Sequence, residues 1–210
     1  MKTLQALAYQ HLKELITNHR LDYGTIYSET KVSQELGISR TPMRDAIHRL
    51  AQEKYLDIIP SRGFMLHRMT STDVIEIFQT RSAIEGYCTL QIASRCQGSA
   101  EQQLFSTLEQ LLERQRSTDD IEAFVDLDNR FHLEIVRFLN NSSFNETFDS
   151  LIAQIRQLAI MSLSHEGRRE ETCQEHRAIL QAMKDGDTEH VYQITQIHME
   201  KPLGINLSDL

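Results

Sequence analysis

The sequence predicts a mostly α-helical protein in two parts, and three observations carry that prediction. The run Gly37-Ile38-Ser39-Arg40-Thr41-Pro42-Met43-Arg44-Asp45-Ala46-Ile47 reads as the turn and second helix of a helix-turn-helix. Directly after it, Tyr55-Leu56-Asp57-Ile58-Ile59, Pro60-Ser61-Arg62-Gly63 and Phe64-Met65-Leu66-His67 read as strand, turn and strand of a β-hairpin. From about residue 72 onward the pattern is helical, with short polar breaks and a single proline, Pro202. The first two features, behind an amphipathic helix, make an N-terminal winged helix-turn-helix. The third implies a C-terminal antiparallel all-helical bundle, because short connections make sequential helices antiparallel neighbours.

Each element has its own local reason. Leu4, Leu7, Ala8, Leu12, Leu15 and Ile16 form one apolar stripe, which predicts the opening amphipathic helix. Val32 and Leu36 are the apolar positions of a short second helix. Gly37 suits the left-handed residue that ends it. Thr41 is expected to cap the next helix, with Pro42 at its first position, where no backbone N–H is needed. Met43, Ala46, Ile47 and Leu50 then share one face at i, i+3, i+4 and i+7. Arg40 and Arg44 are the oddity: they place two cations at a helix N-terminus, where the dipole favours anions. A merely solvated pair is the plain reading. With the neighbouring elements in place, the stronger reading is a helix that presents arginines to an external anion, and DNA phosphates and guanine edges fit that description.

The boundary falls near His67-Arg68-Met69-Thr70-Ser71-Thr72, where Ser71 or Thr72 is expected to cap a helix opening with Asp73. The domains are therefore residues 1–70 and 71–210. Helices are expected at about 72–95, 100–116, 120–139, 144–164, 169–185 and 188–201. Gln97-Gly98-Ser99, Ser117-Thr118, Asn140-Asn141-Ser142-Ser143 and Asp185-Gly186-Asp187 punctuate them.

A net charge of −8 looks wrong for a DNA-binding protein, but its distribution does not. Residues 1–70 hold 10 Lys and Arg against 7 Asp and Glu, while 71–210 hold 12 against 23. A mildly basic segment joined to an acidic one is the footprint of a nucleic-acid domain attached to a different module. No run of 18 apolar residues offers a membrane span, and Met1-Lys2-Thr3-Leu4 lacks the apolar block of a signal peptide. Cys88, Cys96 and Cys173 have no metal-like spacing and are expected as reduced thiols of a cytoplasmic protein.

The second part holds its own constellation. Asp128 and His132 stand at i, i+4 on one helix face, and His176 and His198 lie on two later helices. Side chains from separate helices can converge inside a bundle. One carboxylate and three imidazoles suit a divalent transition ion such as Zn²⁺, Ni²⁺ or Mn²⁺, with positions left for water or a carboxylate. The competing reading is ordinary core histidines, since a chain with 9 His places some on inner faces by chance. Glu175 precedes His176 and is expected to point elsewhere on its helix. His165 and His190 are expected to be exposed, and Asn141 to be a cap or loop residue rather than a ligand contact.

Two family resemblances enter here. Residues from about Leu12 to Arg68 resemble the N-terminal domain of GntR-family transcription regulators. The likeness rests on Gly24, Ser28-Glu29, the run from Leu36 to Ile47, Arg49-Leu50, Glu53 and Pro60-Ser61-Arg62-Gly63-Phe64. The chain departs mildly at Val32-Ser33, at Asp45, and at Lys54-Tyr55, where the family favours Gly-Leu. Residues from about 72 to 200 resemble the helical FCD effector domain of the FadR-like branch. Here the likeness rests on Arg81 and Glu85, Asp128-Asn129-Arg130-Phe131-His132, Asn141, Glu175-His176 with Ile179, and Gly186-Asp187 with His198.

The resemblance implies that Arg40, Thr41 and Arg44 enter the major groove while Arg62 and Gly63 approach DNA from the wing. It implies that Asp128, His132, His176 and His198 are metal ligands. It further implies that Arg81 holds a small carboxylate effector with a guanidinium fork; an Arg81–Glu85 i, i+4 pair is the alternative use of that arginine. A homodimeric repressor on a two-fold double-stranded operator is the implied assembly. Two other functions compete: a regulator for which the ion is itself the signal, and a metalloenzyme with a DNA-binding appendage. The absence of an evident general base, or of a Ser/His/Asp or Cys/His set, argues against the enzyme.

Overall fold

The computed structural model describes residues 3–17 and 20–210; Met1 and Lys2, part of the stretch read for a leader, lie outside them. The chain forms two compact units that divide between Met69 and Thr70. The first holds α1 (Leu4–Thr17), α2 (Glu29–Glu35), α3 (Arg40–Gln52), β1 (Leu56–Ile59) and β2 (Gly63–Leu66). The second holds α4 (Ser71–Ala93), α5 (Ser99–Arg116), α6 (Ile121–Phe138), α7 (Ser142–Leu163), α8 (Arg168–Asp185) and α9 (Val191–Ser208).

In the first unit the predicted face of α3 is the core. Met43, Ala46, Ile47 and Leu50 are all buried, packed with Leu12, Val32, Leu56 and Phe64. Gly37, at φ +68°, ends α2 as expected: its N–H reaches the Gln34 carbonyl and the Ile38 N–H reaches that of Ser33. The hairpin is antiparallel, with Leu56 opposite Leu66 and Ile59 opposite Gly63. Tyr27 pairs through its backbone with Phe64 and stacks on its ring, so α2's approach is tied to the wing.

Two expectations need correction. Only the middle of the α1 stripe is buried: Ala8 and Leu12 lie in the core, whereas Leu4 and Leu7 are exposed. And α3 begins two residues earlier than expected. Ser39 occupies the cap position in extended conformation, so Thr41 lies inside the first turn and caps nothing. Pro42 remains acceptable there, because first-turn N–H groups have no partner within the helix.

The second unit is the helical bundle. Its N-terminus is a capping box: the Asp73 N–H donates to Thr70 Oγ1, and the Thr70 N–H donates to the Asp73 carboxylate. The cap is thus Thr70 rather than Ser71 or Thr72. Asn141 caps α7, accepting from the Ser143 and Phe144 N–H groups. The last helix starts at Val191, later than expected, and runs through Pro202 to Ser208. Proline removes an N–H and crowds the carbonyl four residues back, which predicts a stop. Here Met199 and Asn206 are buried on either side of Pro202, and α9 packs along α4 and α8, so tertiary burial carries the helix past it.

Candidate DNA-reading helix and metal centre

The outer face of α3 carries Arg40, Thr41, Arg44, Asp45 and His48, all exposed. Arg44 Nε donates to Glu29 of α2 at 3.2 Å, which leaves its terminal nitrogens available and aligns the side chain across the two helices. His48, one turn beyond Arg44 on the same stripe, was legible from i, i+4 spacing and extends the polar face. At the wing tip, the Arg62 N–H closes a turn on the Ile59 carbonyl, with Ser61 at φ +61°. Arg62 itself is exposed. Gly63 has a structural reason of its own. At φ +131°, a Cβ there would fall 2.0 Å from the Tyr27 carbonyl oxygen, so the backbone pairing of Tyr27 with Phe64 requires glycine.

In the bundle, α6, α8 and α9 bring His132, His176 and His198 together, all buried, with one donor nitrogen of each within 4.8 Å of the others. His132 Nε2 lies 3.4 Å from His198 Nε2, and Asp128 Oδ1 lies 3.6 Å from His176 Nε2. Two donors bound to one ion at about 2.1 Å stand roughly 3–3.4 Å apart in tetrahedral or octahedral arrangements, so the two histidine nitrogens lie at a coordination edge, while the Asp128 oxygen lies somewhat beyond one and outside the cluster that the three histidines form.

The outward nitrogens explain why the inward ones converge. His132 Nδ1 donates to Glu85 at 2.5 Å, His198 Nδ1 to Glu175 at 2.7 Å, and His176 Nδ1 to the Gln115 amide oxygen at 3.3 Å. Acceptors on all three Nδ1 atoms fix the tautomer with the proton outside and the Nε2 lone pair inside. Lone pairs that face one another cannot hydrogen-bond, and His176 Nε2 is buried without a partner. This donor set fits a divalent transition ion. Phe131 stacks on His176 with centroids 4.2 Å apart, which fixes the ring plane.

Glu175 corrects the expectation that it points away. One helical position rotates a side chain by about 100°, but α9 passes on that side and supplies His198. Arg168 holds the same carboxylate with both terminal nitrogens, at 2.8 and 2.7 Å. Burial opposes ionisation of Glu175, yet hydrogen bonds from His198 and Arg168 outweigh it and hold its carboxyl at about 2. Burial likewise opposes ionisation of Glu85, and the Arg81 guanidinium with His132 holds it at about 2. Burial, then the neighbouring His198 and His132, pushes His176 well below the usual imidazole range.

Of the two readings of Arg81, the i, i+4 pair with Glu85 is formed. Its Nε donates to Glu85 at 2.8 Å, while Nη2 is buried and unpartnered on a cavity shared with Asp128, His132 and His198. His165 and His190 are exposed and pair with Asp209 and Asp187, away from the triad. Cys88 and Cys173 are buried free thiols. No helix among the described residues is long and apolar enough to cross a membrane.

Comparisons with known proteins agree with these two units. Residues 4–66 match the family of bacterial regulatory proteins described as gntR, and residues 76–201 match the FCD domain. The HTH-type transcriptional repressor RspR of Escherichia coli is 28% identical over 199 residues, covering 90% of this chain and 86% of that protein. The HTH-type transcriptional regulator YdhC of Bacillus subtilis is 27% identical over 195 residues, covering 90% and 85%. A GntR regulator structure from Rhodococcus sp. RHA1 superposes with a TM-score of 0.74 at 18% identity, covering 98% of each chain. A metal-free FCD domain of another regulator gives a TM-score of 0.58 at 17% identity, over 68% of this chain and 96% of that one. These relatives are transcriptional regulators, not enzymes. A winged helix-turn-helix in front of a six-helix FCD bundle makes this chain a member of the GntR family of bacterial transcriptional regulators, of the kind that carries an FCD domain.

Proposed function

We propose that this DNA-binding regulator is controlled by a small carboxylate effector bound beside a metal ion in its FCD domain, and that it acts as a repressor. The observation that carries the reading is the convergence of three Nε2 lone pairs, each fixed by an outward Nδ1 hydrogen bond. His132, His176 and His198 would hold the ion, with Asp128 as the fourth ligand. A bound divalent ion supplies a Lewis acid with room for an anionic oxygen. Arg81 Nη2, buried and unpartnered, offers a charge-assisted donor to the same oxygen-bearing group. Its bond to Glu85 keeps the guanidinium in place before the effector arrives.

On the DNA side, Arg40, Thr41 and Arg44 would reach base edges and phosphates in the major groove, and Arg62 with the Gly63 backbone would meet the groove edge. A cytoplasmic homodimer on a two-fold operator follows from the reading as a family regulator. Repression is favoured because the relative RspR is named as a repressor. An effector acts only by its different affinities for the DNA-competent and DNA-incompetent arrangements.

Elemental analysis after dialysis tests the site. Wild type is expected to retain about one ion per chain, and His132→Ala to lose it while still binding DNA. Equal metal content in the two proteins would refute the ligand set.

A further inference from the structure

The side of α3 that points most directly away from the core is not the one that bears Arg40 and Arg44. At 100° per residue, Met43, Ala46, Ile47 and Leu50 mark the buried side, and the opposite direction runs through Thr41, Asp45, His48 and Gln52. All four are exposed. Arg40 and Arg44 flank that line on one side, and Arg49 flanks it on the other. Arg49 stands at i, i+4 from Asp45, the spacing at which a carboxylate and a guanidinium ordinarily pair. It is turned elsewhere: its Nε donates to Glu53 at 3.0 Å, and its guanidinium lies over the Tyr9 ring, 4.2 Å from the centroid. Tyr9 holds the same carboxylate, donating to Glu53 at 2.6 Å. Arg44 is likewise committed to Glu29. The two arginines beside Asp45 each have a carboxylate of their own, and among the described residues Asp45 has no hydrogen-bond or ion-pair partner for its side chain.

Resting on the reading of α3 as the helix in the major groove, we infer that Asp45 is a specificity-determining residue that accepts a hydrogen bond from the N4 amino group of a cytosine in the operator. In the free protein, water satisfies this carboxylate. On a face that meets DNA it sets a negative charge beside the phosphates, and that repulsion is offset only where a donor receives it. The major groove offers two donors, the amino groups of cytosine and adenine. Adenine carries the N7 acceptor beside its amino group, which repels a carboxylate and accommodates an amide. The edge of cytosine carries the donor alone. Arg44 and Asp45 then read with opposite polarity, donors and acceptors on neighbouring positions of one helix. The carboxylate weakens binding to every sequence by the same repulsion and recovers it only at the right base, which widens the ratio between operator and random DNA.

Selection of sites from a random duplex library, followed by fluorescence anisotropy on the selected site and its single-base variants, tests this on the full chain and on Asp45→Ala, Asp45→Asn and Arg44→Ala. The wild-type site is expected to hold a cytosine whose replacement weakens binding by about fivefold to 150-fold. Asp45→Ala is expected to lose the preference at that position alone, and to bind random duplex more tightly than wild type because a negative charge is gone. Asp45→Asn is expected to move the preference to adenine, whose N6 and N7 an amide pairs with. A merely structural role for Asp45 would move neither preference. Base preferences identical in wild type and Asp45→Ala, or an Asp45→Asn that selects cytosine as strongly as wild type, would overturn the inference. If Arg44→Ala alters the selected site in that event, α3 stands as the reading helix without Asp45. If neither Arg44→Ala nor Asp45→Ala alters it, the placement of α3 in the groove falls as well.

Discussion

Each imidazole of the triad is held by a different acceptor, and the carboxylates hold more firmly than the amide. Glu175 is itself gripped by Arg168 and approached by Lys201, so it orients His198 through a rigid chain of charges. Replacing an outer partner of a metal ligand typically costs 10–100-fold in affinity. Glu175→Gln is therefore expected to weaken Zn²⁺ binding by about that factor in competition with a chelator, and unchanged affinity would remove Glu175 from the site. Protons act on the same groups. Unfolded histidines take up protons near 6.5, whereas burial keeps His176 and His198 below that value in the fold. Unfolding then binds protons, so the stability of the metal-free chain is expected to fall as pH drops below about 6.5. Glu85 and Glu175, held at about 2 against an ordinary 4.5, add stability that is present above 4.5 and is lost only between 4.5 and 2. Thermal melts from pH 8 to 5 check the first window, and a rise in Tm toward pH 5 would contradict it. The Asp128–His132 pair is legible in the sequence because i, i+4 spacing is local. The partners Glu85, Gln115 and Glu175 are not, because each reaches a histidine on another helix, and only packing decides which helices touch.

At the level of elements, helix bodies follow from periodicity and helix ends follow from side chains one residue wide. The stop of α3 shows this. The Tyr55 N–H reaches the Leu50 carbonyl and the Lys54 N–H reaches that of Ala51, a Schellman motif whose left-handed position is filled by Lys54 at φ +54°. The family favours glycine there, and a residue with a Cβ costs about 1 kcal/mol in that conformation. Lys54→Gly is expected to stabilise the chain by about that amount in denaturant titration; a loss of stability would show that the lysine side chain compensates. The wing gives the opposite case. Gly63→Ala places a Cβ against the Tyr27 carbonyl and is expected to cost about 1–3 kcal/mol. Unchanged stability would leave DNA contact as the sole reason for glycine. Pro202 misleads a reading by propensity for a different reason: its cost is local, while the burial of α9 against α4 and α8 is spread over the whole helix.

For the whole molecule, the charge division between residues 1–70 and 71–210 assigns the two tasks. The basic excess of the first part is small, so DNA affinity should depend on a few placed residues. Arg44→Ala is expected to weaken specific operator binding by roughly 1–3 kcal/mol if its free terminal nitrogens read a base, and unchanged affinity in a gel shift would remove it from the reading face. The central claim couples the two parts: what occupies the cavity near His132, His176 and His198 alters the affinity of the helix that bears Arg40 and Arg44. The most direct measurement is operator affinity by fluorescence anisotropy, on a DNA site selected in vitro, with zinc-loaded wild type and His132→Ala, each with and without saturating acetate as the small carboxylate. Allosteric coupling of ordinary size predicts a shift of about 5–150-fold in wild type, and DNA binding without a shift in His132→Ala. No shift in wild type despite calorimetric binding of acetate, or an equal shift in both proteins, would contradict the account.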